Sequence, residues 1–215
     1  MYIPASYAEH DPQVLYDFIE AHPLAALVTA SPSAGLFATH LPLVLDRAAG
    51  ASGVLEGHLA RANPHHRHVA AGATEALVIF SGPDAYVTPS WYPAKQEHGR
   101  VVPTWNYVAV HAYGELRLTD DPAFLRRHLE ALTARHEAGR TTPWQVSDAP
   151  AEYVARQLAA IVGFELTITR LEGKWKMSQN RSGADVDGVV RGLAASGAPG
   201  DQAVAALVDA RRPSR

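Results

Sequence analysis

Cysteine is absent from this chain of 215 residues. That excludes disulfide bonds, thiolate nucleophiles and zinc or iron–sulfur sites built on sulfur. It leaves the redox character of the compartment open. Charge is scarce as well: Asp, Glu, Lys and Arg make up 19% of the residues, below the ~25% usual for a soluble domain. The formal net charge is −3, so the chain as a whole is not a basic nucleic-acid binder. Gly-x-Gly-x-x-Gly, Walker-type and Gly-x-Ser-x-Gly sequences are missing. Their absence removes the common routes to dinucleotides, to nucleoside triphosphates and to the nucleophile elbow of α/β-hydrolases. No basic-then-apolar leader opens the sequence, and a cytoplasmic protein is the expectation. Residues 23–45 carry no Asp, Glu, Lys or Arg. Pro32, Gly35 and Pro42 interrupt that stretch, so it reads as two buried strands joined by a turn from Ser31 to Gly35, not as a membrane helix.

Apolar residues are ample, 47% of the chain, and the length suits one sizeable domain. Asp11-Pro12 opens a short helix with Val14, Leu15, Phe18 and Ile19 on one stripe. Strands are expected over about 24–30, 36–46 and 54–60, and a short helix capped by Asn63 follows, stopped by Gly72. Further strands are expected over about 75–81, 84–88, 104–118 and 163–171. In the longest of these, Trp105, Tyr107, His111 and Tyr113 alternate with Thr104, Asn106, Val108, Val110 and Ala112 across two faces. Asp121-Pro122 starts the clearest helix, to about residue 137, and two short helices over about 185–195 and 201–210 finish the chain. Early strands joined by short turns predict an antiparallel α+β fold, mainly β, with peripheral and C-terminal helices, rather than a βαβ sheet.

Two segments concentrate chemistry. Residues 90–107 hold Trp91, Tyr92 and Trp105 beside Lys95, His98 and Arg100. Rings stack on a flat ligand and cations meet a phosphate; the same residue types also build subunit interfaces. Residues 170–181 are the most basic window, with Arg170, Lys174, Lys176 and Arg181 against Glu172. Ser178, Gln179 and Asn180 add neutral donors there; a solvated loop would have the same composition. Gly57 to His65 runs a strand end into a helix start, where Arg61 and free backbone N–H groups suit an anion, although plain capping by Asn63 accounts for the pattern too. His65, His66 and His68 cluster, but helical spacing does not set three imidazoles on one face. The last two helices balance four acids with four bases over residues 182–215, which argues against direct DNA reading by that segment.

These segments also carry a family likeness. The sequence resembles the PaiB-type FMN-binding negative transcriptional regulators over nearly its whole length. The resemblance runs through Tyr2-Ile3-Pro4, His40-Leu41-Pro42-Leu43 and Gly57-His58-Leu59-Ala60-Arg61-Ala62-Asn63-Pro64. It is strongest in Ser90-Trp91-Tyr92-Pro93, in Val102-Pro103-Thr104-Trp105-Asn106-Tyr107-Val108-Ala109-Val110-His111, and from Glu172 to Arg181. The resemblance implies a split β-barrel of the FMN-binding type over residues 1–181, with residues 182–215 as a helical extension packed on the same domain. It implies a homodimer with FMN at the subunit interface, and a repressor role with DNA as a partner. By the same likeness, Arg61, Lys95, Lys176 and Arg181 would approach the phosphate. Thr39, Ser90, Thr104, Gln179 and Asn180 would hydrogen-bond the ribityl chain or ring edge. Trp91, Tyr92 and Trp105 would pack against the isoalloxazine or form the dimer core, and Asn106 joins the cofactor-binding set. No metal site is expected, and no residue is assigned a catalytic role.

Three functions compete at this stage. The first is a flavin-binding sensor or regulator without turnover. The second is a flavin-dependent oxidoreductase, because flavin enzymes need few catalytic groups of their own. The third is a histidine-rich barrel that binds haem or metal.

Overall fold

The computed structural model describes residues 1–31, 35–69 and 72–212. Residues 32–34 of the expected Ser31–Gly35 turn lie outside the described residues. The elements in chain order are β1 (Ala8–Glu9), α1 (Pro12–Ala21), β2 (Leu24–Ser31), β3 (Gly35–Pro42), β4 (Val44–Asp46), β5 (Val54–Ala60), β6 (Thr74–Val87), α2 (Ala94–Glu97), β7 (Thr104–Thr119), α3 (Pro122–Glu137), α4 (Ala151–Ala159), β8 (Ile161–Lys176), α5 (Gly183–Ala194) and α6 (Asp201–Ala210). The eight strands form an antiparallel sheet in the order β3-β2-β6-β7-β8-β5-β4, with β1 on β8. Among the described residues no helix is long and apolar enough to cross a membrane.

Several elements differ from their sequence expectation, each for a physical reason. The two strands expected on either side of Gly82-Pro83 are one 14-residue strand, β6. Its partner β2 pairs only with Ala76 to Ile79, so the missing N–H of Pro83 breaks no bond to β2. The strand expected over 36–46 divides into β3 and β4 at Pro42-Leu43. The helix expected after Asn63 is a single 3-10 turn, Pro64–His68, with the Asn63 side chain accepting from the His65 N–H at 3.0 Å. α3 begins as expected, with Asp121 Oδ1 accepting from the Ala123 N–H at 3.0 Å. α4 was not anticipated. β8 is 16 residues long, so the basic window begins on the end of a strand rather than in a loop.

The chain divides into two compact units. The first contains Met1–Leu15, Ser81–Val110 and Glu172–Arg215; the second contains Tyr16–Phe80 and His111–Leu171. β6, β7 and β8 each contribute residues to both. In the second unit, Leu27, Leu55, Val78, Phe80, Leu116, Phe164 and Leu166 are fully buried, each favouring the fold by about 1.5–3 kcal/mol relative to exposure. In the first unit, Val87, Tyr92, Val108, Trp175, Met177, Val189, Leu193, Val204 and Val208 make the core. There α5 packs on α6 and on the 3-10 turn Pro89–Trp91. That last packing needs glycine. A Cβ on Gly192 would lie 2.2 Å from the Trp91 ring, and one on Gly188 would lie 1.9 Å from the Trp91 carbonyl oxygen. The two glycines fix where Trp91 sits.

Candidate functional site

In the first unit, five of the residues expected to bind a cofactor, Thr104, Asn106, Lys176, Asn180 and Arg181, meet around one small cleft. Tyr7, Val102, Thr104, Asn106, Lys176, Ser178, Asn180 and Arg181 line it, and it encloses about 120 Å³. Thr104 and Asn106 project from the start of β7, two residues apart and therefore on the same face. Lys176 ends β8, and its ammonium donates to the Thr104 hydroxyl and, at 2.5 Å, to the Trp105 carbonyl.

The chain then turns sharply. Ser178 takes φ of 64°, the left-handed region that a non-glycine residue rarely adopts. Two contacts hold it there. The Gln179 carboxamide accepts from the Met177 N–H at 2.7 Å and donates to the Trp175 carbonyl at 2.6 Å. The Asn106 amide, fully buried, donates to the Ser178 hydroxyl at 3.0 Å. The turn closes with the Arg181 N–H donating to the Ser178 carbonyl at 3.0 Å.

The cleft is electrostatically one-sided. Among the described residues no carboxylate lines it. Burial lowers the Lys176 pKa, and the like charges of Lys174 and Arg181 lower it further. Lys174 is itself buried, its ammonium 5.1 Å from the centre of the Tyr107 ring and donating to the Tyr2 carbonyl at 3.1 Å. The Arg181 guanidinium lies 4.7 Å from the centre of the Tyr92 ring. Burial raises the Tyr7 and Tyr92 hydroxyl pKa values, and Arg181 opposes the rise in both. Two like charges thus act on Lys176, which lines the cleft with Arg181 among hydroxyl and amide groups. An anion there removes that repulsion, so the donor set fits the phosphate end of a flavin nucleotide.

Other expected residues are placed differently. Gln179 shapes the turn and does not line the cleft. Tyr92 lies in the core, 2% exposed, as the platform for Arg181. Lys95 is exposed, and its ammonium donates to the Ser90 hydroxyl at 3.1 Å. Trp91 and Trp105 line a separate hollow with Tyr86, because Trp105 projects from the face of β7 opposite to Thr104 and Asn106. Thr39 and Arg61 belong to the second unit. There the Thr39 hydroxyl meets His65 Nδ1 at 2.8 Å and accepts from the Asn63 amide at 3.1 Å. The Arg61 guanidinium pairs with Asp120 at 2.6 Å and donates to the Ile161 and Ala159 carbonyls. Among the described residues no group of three His, Asp or Glu side chains is arranged to hold a metal ion. Tyr7, Val102 and Ser178 line the cleft from outside the expected set. Ser178 stood inside the basic window, but only its backbone conformation singles it out, and nothing near Tyr7 in the sequence marks it.

The family described as "Putative FMN-binding domain" matches residues 1–170. An uncharacterised protein of Emericella nidulans is 38% identical, covering 98% of this chain and 97% of its own length. Protease synthase and sporulation protein PAI 2 of Bacillus subtilis is 30% identical, covering 97% of each chain. Among solved structures, the FAD and heme binding protein of Mycobacterium smegmatis superposes with a TM-score of 0.57 at 19% identity, covering 79% of this chain and 73% of its own. At that identity the likeness is one of fold: an α+β split barrel.

Proposed function

The chain belongs to the FMN-binding domain family, and on that premise we propose that it holds FMN by its phosphate in the cationic cleft and acts as a flavin-binding regulator. The observation that carries the reading is the pair Lys176 and Arg181 in a cleft lined by Thr104, Asn106, Ser178 and Asn180, where the like charges of Arg181 and nearby Lys174 act on Lys176. Lys176 and Arg181 would meet the phosphate, and Thr104, Ser178 and Asn180 would hydrogen-bond it or the adjoining chain. At about 120 Å³ the cleft has the volume of roughly four waters. That is room for a phosphoryl group, with the ring system outside. A bound flavin supplies reversible electron transfer. The protein's own share is to bind and orient: Asn106 and Gln179 hold the turn, and Tyr92 holds Arg181.

The regulatory part of the reading follows the full-length likeness to a protein named for protease synthesis and sporulation. A cytoplasmic homodimer acting on gene expression is the form we propose. Among the described residues the cleft presents hydroxyls, amides and cations but no carboxylate or imidazole, a donor set suited to holding an anion.

An absorption spectrum of the purified chain before and after FMN addition tests the proposal. Saturable uptake with a perturbed flavin band supports it, and a flavin spectrum identical to that of free FMN refutes it. Steady-state NADH and NADPH oxidation by the FMN-loaded chain separates a regulator from an oxidoreductase.

A further inference from the structure

The hollow that takes Trp91 and Trp105 away from the cationic cleft has a chemistry of its own. It encloses about 520 Å³ within the first unit, and Asp84, Tyr86, Thr88, Trp91, Trp105 and Asp201 are among its lining. That volume is typical of a small-molecule site. Tyr86 and Trp105 stand 48% and 53% exposed. Their rings meet edge to face, centroids 6.0 Å apart at 70°, so they form two walls of a corner. Trp91 supplies a third aromatic group, its ring seated on Gly192.

Among the described residues no cation lines this hollow, and Asp84 and Asp201 make no ion pair. Three aromatic rings with two carboxylates that lack a counter-charge match a cation bearing apolar surface. The ring faces attract such a cation through their quadrupoles, and the carboxylates attract its charge. A flavin phosphate is repelled by the same carboxylates.

We infer that this hollow is a binding site for an organic cation of the alkylammonium class, separate from the phosphate cleft. The inference does not depend on flavin binding. The Trp91 ring rests on Gly192 and the Tyr86 and Trp105 rings brace each other edge to face, so the walls stand before a quaternary or primary ammonium group arrives.

Calorimetric titration of the full chain with choline, with and without FMN, tests the site. The comparison probe is the uncharged analogue in which carbon replaces the quaternary nitrogen. Choline is expected to bind saturably, whether or not FMN is present, and the analogue at least about tenfold more weakly. Trp105→Ala is expected to weaken choline binding by about tenfold, and Asp84→Asn combined with Asp201→Asn by a similar factor. Trp105 and Asp84 are exposed, so these changes leave the core intact. Absence of saturable choline binding overturns the inference, as does equal binding of the two probes or unchanged affinity in both variants. A fourth contrary outcome is self-association of the wild-type chain that Trp105→Ala abolishes, with no choline bound; the hollow would then be a contact between copies.

Discussion

The ammonium of Lys176 donates to the hydroxyl of Thr104, joining the last residue of β8 to the first residue of β7. Burial depresses its proton affinity, and Lys174 and Arg181 depress it further. The site is therefore built in a state that an anion relieves.

That relief has a pH signature. The folded pKa of Lys176 lies below its ordinary value, so the folded chain releases this proton at a pH where the unfolded chain still keeps it. Without ligand, stability gains from this group as pH rises through that window. FMN affinity moves the opposite way, falling as Lys176 loses its charge. Lys176→Arg, which stays protonated, is expected to flatten the alkaline fall. FMN titrations across the alkaline range check this, and an identical fall in the variant contradicts it.

Asn106 is the hinge of the turn, because its amide is the buried partner of the Ser178 hydroxyl. Asn106→Ala is expected to cost about 1–3 kcal/mol of unfolding free energy and to loosen a residue held at φ of 64°. Urea unfolding measures the first effect. FMN affinity measures the second, with a loss expected as the cleft's donors shift.

Gly192→Ala places a methyl group 2.2 Å from the Trp91 ring. The expected cost is about 1–3 kcal/mol from overpacking, with a shifted tryptophan emission as Trp91 is displaced. A midpoint and spectrum equal to wild type would mean that the methyl group fits without displacing Trp91, against the close packing of Trp91 on Gly192.

Two buried imidazoles set the acid limit. Burial, then His68, holds the His65 pKa down to about 4. Burial, then His58 and Arg127, does the same for His128, also to about 4. Unfolded histidine titrates near ~6.5. Between these values the unfolded chain takes up protons that the folded chain refuses. This contribution is therefore fully present above about pH 6.5 and is lost as pH falls towards about 4. Urea midpoints at about pH 7.5 and about pH 5 should differ, with the lower one at acid pH. His128→Leu should shrink the difference, whatever its effect on absolute stability.

Much of the site could be read in the sequence as two segments, one around Thr104 to Asn106 and one from Lys174 to Arg181. Their residue types suit an anion with a flat ligand, and equally a subunit interface or a solvated loop. The alternation in the strand from Thr104 also put Trp105 on the face opposite to Asn106, and the structure keeps it there. Grouping both into one site by proximity along the chain worked against that alternation. Three features had no local signal. The length of β8 depends on pairing with β5 and β1, which are distant in sequence. The continuity of β6 past Pro83 depends on where β2 stops. The donors of Arg61 are taken by Asp120 and two carbonyls that no spacing rule connects to it.

The most direct measurement compares FMN with riboflavin, which lacks the phosphate, on the wild-type chain and on the Lys176→Met, Arg181→Met double variant. The account predicts that the wild type binds FMN about 100-fold more tightly than riboflavin, and that the gap collapses in the double variant. Equal affinity for the two flavins, or an undiminished gap in the double variant, would contradict it.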